Sequence, residues 1–168
     1  KQMSLESISI MDILNKNVKT AEQNQNIFEI SKIMFDNDVG SVVIIDNYES
    51  NNPVGIITER DIIRILSTTQ VGNLQVPVKE LMSHPIITLS SKSSILDAMK
   101  LMYERKIRRI IVLEGNNFVG IVTEHDLFNT LMKNKDLVTI VSDSNFPIPQ
   151  KDMYQDFTHH WFSNSFFK

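Results

Sequence analysis

Gly55-Ile56-Ile57-Thr58-Glu59-Arg60-Asp61-Ile62-Ile63 returns as Gly120-Ile121-Val122-Thr123-Glu124-His125-Asp126-Leu127-Phe128, at an offset of 65. Upstream the echo continues at an offset of 68. Val18-Lys19-Thr20 matches Ile86-Ile87-Thr88, and Asn26-Ile27-Phe28-Glu29-Ile30 matches Ser94-Ile95-Leu96-Asp97-Ala98. Asp38-Val39-Gly40-Ser41 matches Lys106-Ile107-Arg108-Arg109. The first copy therefore holds three extra residues, in the loop around Tyr48 to Pro53. A whole-unit repeat decides the fold before any single element does. Two copies related by an approximate twofold tend to enclose a cleft between them.

Each copy reads strand, helix, strand, strand, helix. Val18 to Thr20 is the first short strand. Asn26 is a good helix N-cap, with Glu29 at the capping-box position, and Ile27, Ile30, Ile33 and Met34 follow at helical spacing. Val42 to Ile45 is a continuous, mostly β-branched run, as in a buried strand. Val54 to Ile57 makes another strand and Glu59 to Leu66 another helix. In the second copy Ser94 and Asp97 make the box, Ile110 to Leu113 and Phe118 to Val122 are strands, and Glu114-Gly115-Asn116-Asn117 signals a hairpin. The copies occupy 8–69 and 78–134, joined by 70–77 and followed by an extension over 135–168. Neither copy has a comfortable core alone, so the two are expected to pack sheet to sheet as an α/β (α+β) pair.

Composition narrows the class. The chain has 168 residues, 42% apolar and 22% charged, as a soluble globular domain does. Its net charge of −3 counts against a broad nucleic-acid face, although Arg105 to Arg109 form a local basic cluster. The absence of cysteine excludes disulfides, thiolate nucleophiles and cysteine zinc sites. No apolar run is long enough to span a bilayer and no signal-peptide core opens the chain, so a cytoplasmic protein without membrane contact is expected. The first residue is Lys1, and the numbered chain is expected to be part of a longer product.

The junction Gly-h-h-Thr-Glu-x-Asp carries the chemistry. Its glycine permits close backbone approach. Thr58 with Asp61, and Thr123 with Asp126, stand at the start of a helix, where a carboxylate can accept hydrogen bonds from a vicinal diol. The first-turn N–H groups and the helix dipole favour a nearby anion. The same four-residue pattern is also a plain capping box, and on that feature alone the structural role leads. Its position after a glycine-started strand, twice, raises the functional one.

Both copies together, with the strands Val39 to Ile45 and Ile107 to Leu113, resemble a tandem pair of CBS domains, a Bateman module, over about residues 8 to 133. The resemblance implies two β-α-β-β-α repeats in a pseudo-twofold pair, two clefts between them, and usually a homodimer. It further implies a regulatory rather than catalytic module that binds adenosine ligands such as AMP, ADP, ATP or S-adenosylmethionine, with no obligatory cofactor and no metal. A regulated partner protein would read the ligand; the alternatives are a structural or interaction dimer with empty clefts, and a nucleic-acid binder using Arg105 to Arg109. The Thr-x-x-Asp of one repeat would hold ribose, and the strand start of the other would line the cleft. The first cleft would then combine Thr58 and Asp61 with Arg108 and Arg109, and the second Thr123 and Asp126 with Gly40 and Ser41. Thr20 and Thr88 belong to the same set, and Arg60 and His125 would add charge. An arginine pair can meet phosphate bidentately, whereas Gly-Ser cannot. Ile111 departs from the family pattern, which often has proline there.

The remaining signals are weaker. His159 and His160 are adjacent and rarely converge on one metal ion. Met34, Met99 and Met102 lie on helical faces as core filler. Asp136 to Val141 reads as a strand, and seven of thirteen aromatics fall in the last 23 residues, which are expected to dock on an apolar surface.

Overall fold

The computed structural model describes residues 5–68 and 74–134. The expected strand at 136–141, the aromatic tail and His159-His160 lie outside the described residues.

Two three-stranded sheets carry the repeat. In the first, β1 (Thr20–Glu22) runs parallel to β2 (Ser41–Ile45), which pairs antiparallel with β3 (Pro53–Thr58). Helices α1 (Ile27–Asn37) and α2 (Glu59–Thr68) complete the unit. The second unit repeats it with β4 (Thr88–Ser90), α3 (Ile95–Arg105), β5 (Arg109–Glu114), β6 (Asn117–Thr123) and α4 (Glu124–Lys133). The register irregularities recur too, at Ile44/Ile45 and Val112/Leu113. The expected capping boxes at Asn26/Glu29 and Ser94/Asp97 are both formed. Both helices then stop on a left-handed residue, Asp38 and Lys106, at matching positions.

One strand sits elsewhere than expected. The first strand of each copy begins at Thr20 and Thr88, not two residues earlier. The parallel ladder opens where the Lys19 carbonyl accepts the Val43 N–H at 3.0 Å, and the Ile87 carbonyl accepts the Ile111 N–H at 3.3 Å. Val18 and Ile86 turn instead to the cluster between the sheets, with Val43, Ile111 and Ile121 at its centre. The sheets thus face each other, as expected. Ile111 uses its N–H in this ladder, which a proline at that position could not do.

The leading segment of each copy crosses to the other copy. Leu5 and Ile10, in single 3-10 turns at Leu5–Ser7 and Ile10–Asp12, join the core of the second unit with Ile95, Ile110 and Val122. Val78, in the turn Val78–Glu80, joins the first unit's core with Ile27, Ile30 and Ile57. Backbone pairs lock both crossings: Asn15 bridges to Ile121, and Ser83 to Ile56.

The two motif glycines serve this crossing. A Cβ on Gly120 would lie 2.5 Å from the Asn15 carbonyl oxygen and 2.9 Å from two carbons of Leu14. A Cβ on Gly55 would run into the Met82 thioether. The close approach inferred for the glycine is therefore to the crossing chain. Backbone cannot yield as a methionine side chain can. We expect Gly120→Ala to destabilise the protein by about 1–3 kcal/mol, and Gly55→Ala by clearly less. Thermal melting of the two variants side by side checks this; equal losses would contradict the account.

Among the described residues, no helix is long and apolar enough to cross a membrane, and no cluster of three or more His, Asp or Glu could hold a metal ion.

Candidate functional site

The second strand-to-helix junction shows the local chemistry most simply. Thr123 caps α4: its hydroxyl accepts the Asp126 N–H at 3.2 Å. Asp126 Oδ2 in return accepts the Thr123 N–H at 2.8 Å and the Thr123 hydroxyl at 2.6 Å. The first junction repeats this around Asp61 Oδ2, with the Thr58 N–H at 3.0 Å and hydroxyl at 2.8 Å. Both capping boxes are real, but each engages only one carboxylate oxygen in the box. The other oxygen of each carboxylate lies outside the box. Asp61 Oδ1 accepts from Arg64 Nη2 at 2.9 Å.

A cleft of about 570 Å³ opens over the first junction. That is within the roughly 300–1,000 Å³ of ligand pockets. Thr58, Arg60 and Asp61 of the first unit face Arg108 and Arg109 of the second. Ile56, Ile63 and Ile107 add apolar wall, and Ser83 enters from the crossing segment. The inter-unit combination expected for the first cleft is therefore assembled.

Arg109 is the electrostatic centre. Strand β5 starts on it, with its Cα opposite Thr123. Its side chain nevertheless reaches the first unit: a Cβ on Gly40 would lie 3.2 Å from Arg109 Nη2, and equally 3.2 Å from Glu59 Oε2. Partial burial lowers the guanidinium below the usual arginine range, and the adjacent Arg108 charge adds to this. Glu59, Asp61 and Asp126 act the other way and do not outweigh it. Arg109 thus feels both motif carboxylates across the cleft.

Two placements differ from expectation. Gly40 was assigned to the second cleft but lines the first. The antiparallel pairing of Ser41 with Thr58 puts Gly40 beside its own repeat's helix, where its carbonyl accepts the Glu59 N–H at 3.2 Å. Thr20 and Thr88 do not line the first cleft but pair with Val43 and Ile111 in the sheets. Arg60 and His125 are both exposed. Ile63, Ile107, Glu59 and Ser83 were not foreseen as lining. Ile63 had a signal, an apolar residue on the outer side of a helix two positions after Asp61, and it is 67% exposed.

Comparison with known proteins agrees with this architecture. The CBS domain family model matches residues 10–68 and 78–133. The CBS domain-containing protein YhcV of Bacillus subtilis is 34% identical over 127 residues, covering 76% of this chain and 88% of that protein. The uncharacterised protein MK0525 of Methanopyrus kandleri is 32% identical over 124 residues, covering 73% of this chain; the chain spans only 62% of its length. Among solved structures, the CBS domain pair of protein MJ0100, in complex with 5-methylthioadenosine and S-adenosyl-L-methionine, is 28% identical with a TM-score of 0.66. That match covers 74% of this chain and 96% of the other. With both copies matched and the two units built as described, the chain belongs to the CBS-domain family as a tandem pair.

Proposed function

We propose that this protein is a regulatory, non-catalytic module that binds an adenosine nucleotide in the clefts between residues 8–69 and 78–134. One observation carries the reading: the Thr58–Asp61 box and the half-buried Arg109 line one cleft, although they come from different repeats. Asp61 Oδ1, held by Arg64 at 2.9 Å and outside the capping box, suits ribose hydroxyls once that contact gives way. Ile56, Ile63 and Ile107 suit the flat apolar face of a base, and the arginines suit phosphate. The adenosine ligands held by the MJ0100 pair support the ligand class. Asp126 is assigned the ribose role in the second cleft by the same reasoning.

The proposed mechanism is linkage. A ligand that touches both units stabilises the arrangement it binds, and a partner protein reads the difference. Action as a homodimer belongs to this reading and is supported by exposed apolar residues on the helices, among them Phe28, Phe35, Leu66 and Met132. A location in the cytoplasm, away from membranes, completes it.

Calorimetry with AMP tests the site. A hydrogen bond to a charged group contributes about 1.5–3 kcal/mol. The Asp61→Ala, Asp126→Ala double variant should therefore bind AMP at least about tenfold more weakly. Unchanged affinity in a folded double variant would remove the ribose role. S-adenosylmethionine is the second reading, favoured by the same MJ0100 complex. It predicts tighter binding of that ligand than of AMP.

A further inference from the structure

The two repeats differ at one position that bears directly on the site. Three residues after Asp61 the first helix has Arg64; three residues after Asp126 the second has Asn129. Arg64 Nη2 lies 2.9 Å from Asp61 Oδ1. Oδ2 of the same carboxylate already accepts two hydrogen bonds from Thr58. An ionised carboxylate offers about four acceptor positions. In the first cleft, then, both oxygens are engaged, and the one left for a ligand is shared with a cation. At the second junction the corresponding residue is uncharged.

We propose that Arg64 is a specificity-determining latch of the first cleft: it holds Asp61 Oδ1 in the free protein, and a vicinal diol must displace it to bind. The proposal rests on the ribose role of Asp61. A ligand without phosphate gains nothing from the released arginine, so the latch lowers its affinity. A phosphorylated ligand recovers part of the loss, because the freed guanidinium adds to the positive charge supplied by Arg108 and Arg109. The latch would thus bias the first cleft against bare nucleosides, and the second cleft would lack this bias. Asp61 is shielded, with 15% side-chain exposure, but Arg64 is 61% exposed, so solvent weakens the pair and the effect is moderate.

Titration of the full chain with adenosine and with AMP tests this. Arg64→Asn places the second repeat's residue in the first and should bind adenosine about two- to fivefold more tightly than the native chain. AMP should gain less or lose. The gain for adenosine should vanish when Arg64→Asn is combined with Asp61→Ala, since no carboxylate remains to be freed. Adenosine affinity that is unchanged or weaker in Arg64→Asn, while Asp61→Ala alone still weakens binding, overturns the latch and leaves the ribose role standing. If Asp61→Ala alone leaves binding unaltered, or no variant binds either ligand, the ribose role fails and the latch with it. A melting curve of Arg64→Asn matching that of the native chain confirms that an exposed side chain was exchanged in an intact fold.

Discussion

AMP should bind about a hundredfold more weakly once Arg108 and Arg109 are both alanine, while adenosine should lose little. The estimate combines two charge-assisted contacts of about 1.5–3 kcal/mol each, taken at the low end because the cleft is open to water. The ratio matters more than either affinity. Arg109 begins β5 and is partly buried, so its replacement could loosen the strand as well as the site. Loosening would weaken both ligands equally. Loss of phosphate recognition weakens AMP alone. Raising the salt concentration should reproduce part of the effect in the native chain, since the phosphate contact faces solvent and is screened. Equal losses for AMP and adenosine would show that the arginines support the fold and do not read phosphate.

Ile10→Ala should cost about 2–5 kcal/mol of stability, as for a large aliphatic residue removed from a core. Nothing in the local sequence announces this, because Ile10 stands ahead of the first expected strand in a stretch with no periodicity of its own. It is fully buried, and its N–H donates to the Ser93 carbonyl at 3.0 Å, at the entrance of the second unit. The lost contacts are with Ile95 and its neighbours, so the second sheet should lose hydrogen-exchange protection first. Chemical denaturation gives the magnitude. A loss below about 1 kcal/mol would mean that the crossing segment is a loose cover and not part of the core.

Repetition made most of the fold legible. Both capping boxes and the two sheets follow from aligning the chain with itself, whereas the facing of Thr58 and Asp61 with the arginines was implied only by the resemblance to CBS pairs. What stayed hidden was non-local. A repeat says which residues correspond, but not which copy a leading segment packs on, so the crossings of Ile10 and Val78 could not be read from it. Gly40 was misplaced because strand pairing, not sequence offset, puts it beside Glu59. Arg64 is different: an acidic residue followed three positions later by an arginine on one helix is a visible pair. It lies three residues beyond the last position of the repeated motif.

The crossing segments have one more consequence. Neither half of the chain carries its own complete interior, since each borrows its closing piece from the other. Severed between the units, the fragments should be unstable apart and should complement one another when mixed. Intact, the pair should melt in one cooperative step. Ser83, at the end of one borrowed piece, also lines the first cleft, close to where Met82 lies over Gly55. A molecule seated there would press on a strap whose other end is buried under the first sheet's helices. Occupancy would then bear, through that strap, on the first unit's interior, although the strap belongs to the second copy.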